Sequence, residues 1–505
     1  MILLCVSIPS FMLNIDASVV AVSLPSIARS LNADFAAIEW VLSAYTLTFA
    51  SLVLPAGMLA DRYGRKNILV IGLSLFTAAS FVCGAAPDVA ILNAARALQG
   101  VGAALLLSAA LATLSHEFRG PERARAFAFW GSVIGVGIAL GPVVGGLITQ
   151  RFGWEWAFYV NIPIGIVMIG LTLFAVKDSR DPNATGVDVA GFVSFASALF
   201  LLTLALISGN REGWGSRPVT GEFAAALALF VAFLVIETRH PRPMLDLGFF
   251  RRPTYIGANV AGLAYAATLL TMLTYLPLYF QGGLGFAPQK AGLLMLPIAM
   301  PLFVVPRLVA RYLTHRLAGR SLLTVGLGLV AVGLLWLALN ARAFDYASML
   351  VGMLIAGTGA GILNGETAKV SMTVIPPERA GMAAGVGGTV RFSGIVVGFA
   401  ALGAVLYERV TASLGDFLPD TPALDRVAIA QRIVAGDLFG AAAMLHGSRD
   451  VAMASFGVGY QAVFLTGAIG ASLSAIATWV LVQAADTAPV GRRVRSDEPL
   501  ALPID

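Results

Sequence analysis

The sequence has little charge, little cysteine and no nucleotide-binding or metal-binding motif. Only 12% of its 505 residues are charged, against about a quarter in a typical soluble domain, which argues against a string of soluble domains. The two cysteines, Cys5 and Cys83, cannot build a disulfide framework, and we expect them to lie too far apart to bridge. No Gly-rich phosphate loop and no Cys/His cluster is present. We therefore predict no ATP-driven step, no metal site, no cofactor and no enzymatic activity.

Long apolar runs are abundant in the sequence. Hydrophobic residues make up 58% of the chain, and apolar stretches of about 18 or more residues recur from end to end. The stretches are continuously apolar rather than alternating, which favours helices over a β-barrel. We therefore predict an all-α membrane protein with about fourteen transmembrane helices. The predicted spans are 2–25, 39–60, 67–86, 90–115, 125–150, 155–176, 188–208, 220–237, 253–281, 287–311, 320–340, 346–369, 380–407 and 458–484.

Lys and Arg are distributed unevenly between the two sides of the predicted membrane. If the first span starts in the cytoplasm, the inner loops and the tail hold about twice as many of these residues as the outer loops. This bias predicts a multi-pass membrane protein with both termini in the cytoplasm. The net charge of +5 then follows from topology, so lipid rather than nucleic acid is the expected partner.

A short charged turn joins the second and third predicted spans. Residues 57–66 are Gly-Met-Leu-Ala-Asp-Arg-Tyr-Gly-Arg-Lys, and this pattern resembles the signature of the major facilitator superfamily at the same place. The resemblance implies a major facilitator fold of two pseudo-symmetric six-helix bundles. It also implies a conformational latch between the halves, formed by Asp61, Arg62, Gly64, Arg65 and Lys66. The alternative is that the bases only anchor the turn at the cytoplasmic membrane surface.

Two charged residues lie deep within predicted spans. By the rise of a helix, Asp16 is roughly 13 Å and Arg96 roughly 10 Å from the outer face. A charge inside a membrane is costly and usually faces a cavity or a partner, so we expect these two to meet. Arg96 and Gly100 resemble the Arg-x-x-x-Gly pattern that the family associates with proton coupling, and Asp16 lies in a segment similar to a motif of the same family. We therefore predict that both residues couple transport to protons. The alternative for Arg96 is a side chain that snorkels to the surface.

The fifth predicted span is rich in glycine. Its motif residues are Gly137, Gly141, Pro142, Gly145 and Gly146. Three of the glycines recur every four residues, so they share a helix face on which another backbone can approach closely. The Gly-Pro-x-x-Gly-Gly segment resembles the antiporter signature of exporters, which implies efflux rather than uptake. We expect Gly141 and Gly145 to pack against a helix of the second half. The alternative is a generic packing face of small residues.

Two further charged residues are candidates for a substrate or charge site. Glu366 is, with Asp16, one of only two carboxylates that we place inside spans, although nearby Lys369 favours an interfacial ion pair. Arg391 lies at about mid-depth in the thirteenth predicted span and resembles an Arg found there in the family. All four histidines fall in predicted loops, so a carboxylate is the better candidate for carrying a proton.

The predicted spans are arranged as six, two and six. We predict an N-terminal bundle over 1–176, two linker helices with cytoplasmic loops over 177–252, and a C-terminal bundle over 253–484 that includes a long outer loop at 409–457. A cytoplasmic tail follows over 485–505. This arrangement resembles the fourteen-helix drug:proton antiporter branch of the superfamily.

The resemblance implies a proton-coupled antiporter that exports amphipathic, often cationic drugs or toxic organic compounds by alternating access. It also implies a place in a bacterial plasma or inner membrane. The expected partners are small amphipathic molecules, protons and the lipid bilayer, and a periplasmic adaptor is a further candidate. Two alternatives stay open. One is a dedicated exporter of a single metabolite or natural product, and the other is a non-transporting membrane receptor or scaffold on the same fold.

Overall fold

The computed structural model contains helices and no strands over the residues that it describes, which are 1–118, 120–180, 188–240, 247–375, 380–418, 423–445 and 447–488. The first half and the linker consist of α1 (Ile2–Ser30), α2 (Phe35–Tyr63), α3 (Arg65–Gly84), α4 (Val89–Glu117), α5 (Gly120–Phe152), α6 (Trp156–Tyr159), α7 (Asn161–Ala175), α8 (Val189–Glu212) and α9 (Arg217–Arg239). The second half consists of α10 (Pro253–Tyr265), α11 (Met272–Gly282), α12 (Pro288–Leu293), α13 (Leu296–Leu308), α14 (Gly319–Asn340), α15 (Tyr346–Met372), α16 (Ala380–Phe417), α17 (Ala423–Val434), α18 (Leu438–Met444) and α19 (Arg449–Leu481).

Twelve helical stretches in the described part of the chain are long and apolar enough to cross a membrane. The two predicted spans outside these twelve, 39–60 and 125–150, lie within α2 and α5, which are helices of 29 and 33 residues. At about 1.5 Å per residue, both helices are long enough to cross a bilayer. The all-helical membrane class is therefore confirmed, and the helices are consistent with the predicted fourteen spans.

Aspartates in the short loops fix where several helices begin. Asp34 accepts a hydrogen bond from the backbone N–H of Ala37 at 2.8 Å, and Asp88 accepts one from Ile91 at 2.8 Å. Each carboxylate satisfies a backbone donor that the first turn of a helix leaves without a partner. The same residues therefore end the apolar runs in the sequence and start α2 and α4 in the structure.

The hydrophobic core shows where the two halves meet. Cys5 and Met12, in the first part of α1, belong to a cluster formed almost wholly by the first half. Val19, Leu24 and Ile27, farther along the same helix, belong to the cluster that holds most of the second half's core. The halves are therefore packed together at the end of the molecule that the sequence places outside. We call this contact the outer seam.

Several helix pairs join the two halves. In the described part of the chain, α1 contacts α11 and α12, α2 contacts α16, and α5 contacts α12 and α13. Polar contacts cross the outer seam as well, since Gln281 Nε2 donates to the Val22 carbonyl at 2.8 Å and the Gln289 N–H donates to Gln150 Oε1 at 3.1 Å. Because main-chain and side-chain groups are paired across the seam, it is a specific interface between the halves.

The linker helices lie against this interface. Helices α8 and α9 pack on each other, and α8 contacts α2 of the first half and α16 of the second. The linker therefore touches both halves. The predicted loops on either side fall partly on 181–187 and 241–246, which lie outside the described residues. The predicted domain boundaries stay predictions.

The predicted outer loop 409–457 is largely helical. Helix α16 continues to Phe417, α17 and α18 follow, and α19 begins at Arg449. Ile433 and Val434 of α17 are fully buried in the core. The ends of α16 and α19 therefore extend into this segment, and the short amphipathic helices between them have too few apolar residues to resemble a span. Within the predicted loop and tail, 419–422, 446 and 489–505 lie outside the described residues.

Candidate functional site

The structure brings Asp16 and Arg96 together, as their predicted depths suggest. Arg96 Nη1 lies 2.7 Å from Asp16 Oδ2, and neither side chain is exposed. Asp16 Oδ1 also accepts hydrogen bonds from Gln99 Nε2 at 3.0 Å and from Asn161 Nδ2 at 2.8 Å. The carboxylate of α1 is therefore held by one cation and two amides, which come from α4 and α7.

Arg96 is held on several sides at once. Its Nε donates to the Val41 carbonyl of α2 at 2.9 Å, and its Nη1 also donates to Gln99 Oε1 at 2.6 Å. The guanidinium carbon lies 4.2 Å from the centre of the Tyr45 ring, which is a favourable position for a cation. This arrangement excludes the alternative of a side chain that snorkels to the surface.

Gln99 and Asn161 complete the site, and the sequence analysis did not single them out. Gln99 also donates to Ser80 Oγ at 2.8 Å, so it connects the ion pair to α3. The sequence held one signal for Gln99, because residues three apart on a helix lie on the same face, and Gln99 is three residues after Arg96. Asn161 lies on a different helix, and no spacing rule connects it to Asp16.

The chemistry of this site follows from its burial. Charges removed from water are stable only when they are paired and hydrogen-bonded, and both oxygens of Asp16 have partners. The pair is neutral as a unit, whereas a proton on Asp16 would leave the Arg96 cation without a counter-charge. Protonation therefore changes the electrostatics of three helices at once. Since Asp16 is unexposed in this conformation, its carboxylate has no contact with bulk water.

The charged turn is built around a glycine. Gly64 has a φ of +104°, a conformation that side-chain-bearing residues rarely adopt, and it separates α2 from α3. Arg65 N–H donates to the Ser179 carbonyl at 3.1 Å, and Lys66 Nζ donates to the Leu173 carbonyl near the end of α7 at 2.7 Å. The Lys66 side chain and the Arg65 backbone therefore hold the turn against α7 and the segment that leads to the linker.

The predicted latch also includes Arg62 and Asp61. The Arg62 side chain is exposed, with its guanidinium carbon 5.3 Å from the centre of the Tyr63 ring. The side chain of Asp61 lies outside the described residues. The latch role of the turn stays a prediction.

The glycine face of α5 packs against α1, within the first half. A Cβ added to Gly145 would lie 2.7 Å from Val19 Cα, and one added to Gly141 would lie 2.7 Å from the Ser18 hydroxyl oxygen. The expectation that these glycines pack against the second half is wrong, because their spacing identifies a packing face but does not identify its partner.

The neighbouring positions of the α5 motif differ in their partners. A Cβ on Gly137 would lie 3.1 Å from Phe11 of α1, so this glycine belongs to the same face. A Cβ on Gly146 would lie 2.9 Å from Gln289 Cα of the second half, and the Pro142 carbonyl lies against Gly292. The motif therefore contributes to the outer seam through Pro142 and Gly146.

The remaining predicted residues do not join the Asp16 cluster. Lys369 Nζ lies 3.1 Å from Glu366 Oε1, so the expected ion pair is present, with Lys369 half-exposed and Glu366 buried. Arg391 is partly buried on α16, and its guanidinium carbon lies 5.4 Å from the centre of the Tyr265 ring. The structure therefore places these charges at separate sites of the second half.

The expectation of only two carboxylates inside spans is wrong. Glu39 of α2 is 1% exposed and Glu237 of α9 is 3% exposed. Both lie at the ends of predicted apolar runs, where a sequence pattern does not distinguish a buried acid from one in the headgroup region. In the described part of the chain, no group of three His, Cys, Asp or Glu side chains is arranged to hold a metal ion.

Comparisons with known proteins agree with the fold and the motifs. The chain is 36% identical over 405 residues to the multidrug resistance protein Stp of Mycobacterium tuberculosis, which covers 80% of this chain and 75% of that protein. It is 34% identical over 402 residues to the methylenomycin A resistance protein of Streptomyces coelicolor, covering 79% of this chain and 83% of that protein.

The fold is also similar to that of a solved transporter. A crystal structure of a peptide transporter POT superposes with a TM-score of 0.64 at 14% identity, covering 95% of this chain and 93% of that one. The family model described as Major Facilitator Superfamily matches residues 6–399. The resemblance predicted from the charged turn is therefore confirmed, and the chain belongs to the Major Facilitator Superfamily.

Proposed function

We propose that this multi-pass membrane transporter is a proton-coupled exporter of amphipathic, often cationic organic compounds. The buried Asp16–Arg96 pair is the observation that carries the proposal, because a membrane scaffold has no need of a costly charge pair at this depth. The relatives support drug export, since one is named a multidrug resistance protein and another a methylenomycin A resistance protein.

The pair supplies a reversible site for one proton. Asp16 is the acceptor, and Arg96, Gln99 and Asn161 hold its carboxylate when it is ionised. A proton from the outer side and a cationic substrate from the inner side compete for the same negative charge. This competition exchanges a proton for a substrate molecule without ATP, provided that the protonated and the substrate-bound states favour different conformations.

The outer seam provides the second element of the proposal. In this conformation the halves are packed together at the predicted outer face through α1, α2 and α5. Alternating access requires that this seam opens while an inner contact closes. We assign the turn at Asp61, Arg62, Gly64, Arg65 and Lys66 to that inner contact, and we place both termini in the cytoplasm.

A second candidate function is the export of a single natural product. It is favoured by the similarity to the methylenomycin A resistance protein, whose name refers to one compound. A panel of dyes, biocides and antibiotics, tested in a host that lacks its own pumps, separates the candidates. Protection against chemically unrelated compounds supports a multidrug exporter, and protection against one compound class supports the dedicated exporter. A periplasmic adaptor stays a candidate partner in either case.

Dye accumulation in everted membrane vesicles, in which an exporter moves its substrate into the lumen, tests proton coupling. We expect transport when a proton gradient is imposed without ATP, and no transport when an uncoupler collapses the gradient. The Asp16→Asn variant, which has nearly the same shape but no carboxylate, is the matched comparison. Accumulation that continues with ATP after collapse of the gradient would contradict the proposal.

A further inference from the structure

Glu39 is a buried acid at the outer seam that the proposed mechanism does not yet use. It lies one turn into α2 of the first half, and its side chain faces α16 of the second half. The residue is 1% exposed, and its Oε1 has no hydrogen-bond partner among the residues that the structure describes. An acid of this kind, between two bodies that must separate during transport, needs a physical explanation.

The seam is shaped around this carboxyl group. Oε1 of Glu39 occupies the place where a side chain would begin at Gly403, so only glycine leaves room for it. A Cβ added to Gly403 would also lie 3.1 Å from Tyr275 Oη of α11, so this hydroxyl and the carboxyl group border the same space. The one proton of that hydroxyl is donated to the Phe399 carbonyl at 2.7 Å, so the hydroxyl presents only lone pairs to other neighbours. A protonated Glu39 can donate to such a group, whereas an ionised one is repelled.

The charged groups near Glu39 offer no compensation. Asp34, at the cap of the same helix, carries a like charge. Asp34 and Glu212 of α8 also line a cleft of about 560 Å³ beside the start of α2. Tyr275 is the titratable group that faces Glu39 from the second half. Among the described residues, no Lys, Arg or His is paired with this carboxyl group.

An ionised Glu39 in the closed seam would be buried away from water, and it would have no positively charged partner among the described residues. Burial of such a group is strongly unfavourable, whereas a neutral carboxylic acid of the same shape is tolerated when it finds an acceptor. The closed seam therefore fits a protonated Glu39. When the seam opens, water reaches the group and removes the cost of ionisation.

We propose that Glu39 is a second proton-binding residue of the transport cycle, and that it must take up a proton from the outer side before the seam closes. The proton adds to a carboxylate oxygen of Glu39 when the outer side is open and leaves to water when that side opens again. The inference rests on the proposed proton-coupled export, and it makes the return of the transporter to this conformation depend on the outer pH.

The test measures the seam directly in purified transporter in lipid nanodiscs. Spin labels are placed at Ser30 of α1 and Glu408 of α16, which are exposed at the predicted outer face, whereas the native cysteines are buried. Distances between the labels are recorded from about pH 5 to about pH 9, without substrate or ATP. We expect the population with separated labels to grow as the pH rises, because ionised Glu39 opposes closure.

Two variants and one control decide the outcome. Glu39→Gln keeps the shape without the charge, so the seam should stay closed at every pH. Gly403→Ala displaces the carboxyl group, so the seam should open even at low pH. Glu237→Gln removes another buried acid, on a linker helix, and should follow the parent. The inference is overturned if the label distances in the parent do not change with pH. It is also overturned if the label distances in Glu39→Gln change with pH as they do in the parent. The distance measurement is made without substrate, so it does not depend on transport. If the label distances change with pH as expected but proton-driven efflux fails, the result counts against the proposed function alone.

Discussion

Asp16 and Arg96 are separated by eighty positions in the chain, yet their side chains meet at 2.7 Å in an ion pair that is fully buried. The pair joins α1 to α4, while Gln99 extends it to α3 and Asn161 extends it to α7. A change in the charge of Asp16 therefore acts on the contacts between several helices of the first half. This connection between one proton and several helices is what a coupled transporter requires.

We predict that Asp16→Asn abolishes the release of protons when substrate is added to the purified transporter. The amide cannot bind or release a proton in this range, so substrate has nothing to displace. The measurement is the pH change of a weakly buffered solution on addition of a cationic dye. Asp416→Asn, a change to an exposed acid on α16, is the control and should release protons as the parent does. Unchanged release from Asp16→Asn would place the carrier elsewhere, with Glu366 and Glu39 as the next candidates.

We predict that the two members of the pair are strongly coupled in stability. Arg96→Ala leaves a buried carboxylate without its cation and should cost about 3–5 kcal/mol of unfolding free energy. The double variant Asp16→Asn with Arg96→Ala removes both charges, so it should lose less than the sum of the single changes. Thermal unfolding in detergent measures all four proteins. If the losses of unfolding free energy in the two single variants add up to the loss in the double variant, Asp16 and Arg96 contribute to stability independently.

We predict that Gly141→Ala impairs transport, whereas Gly328→Ala does not. A methyl group at Gly141 meets Ser18 of α1, so α1 and α5 must separate and displace Asp16 on the same helix. At Gly328 of α14, no atom of the described residues lies within 4 Å of the place of a Cβ, so the same change there is accommodated. Efflux rates, normalised to the amount of protein in the membrane, compare the two. Equal rates would show that close α1–α5 packing is not needed for function.

The contrast between Arg96 and Gly141 shows what a sequence can predict here. The depth of a charge follows from helix rise, and a buried Arg needs a counter-charge, so the meeting of Asp16 and Arg96 was predictable. The partner of a small-residue face depends on how each helix is rotated in the bundle. No local pattern records that rotation, and the predicted partner of Gly141 was therefore wrong.

The burial and the partners of polar residues at the ends of spans were harder to predict. Glu39 lies at the first position of a predicted span, where an acid in the headgroup region costs little, so nothing in the sequence marked it as buried. Its burial comes from Gly403, which is far away in the chain and belongs to the other half. Asn161 was missed for the same reason, since its partner Asp16 lies on another helix.

We predict that Asp61→Asn inserts normally into the membrane but transports more slowly. The resemblance places this carboxylate in a latch that holds the halves together in one conformation. A contact with the positive end of a helix would be worth about 0.3–2 kcal/mol, enough to shift a balance between two states without unfolding either. The measurement pairs the efflux rate with the reactivity of cysteines introduced along the inner end of α5. Unchanged rates together with unchanged reactivity would remove Asp61 from the mechanism and leave the turn as an anchor held by Lys66 and Arg65.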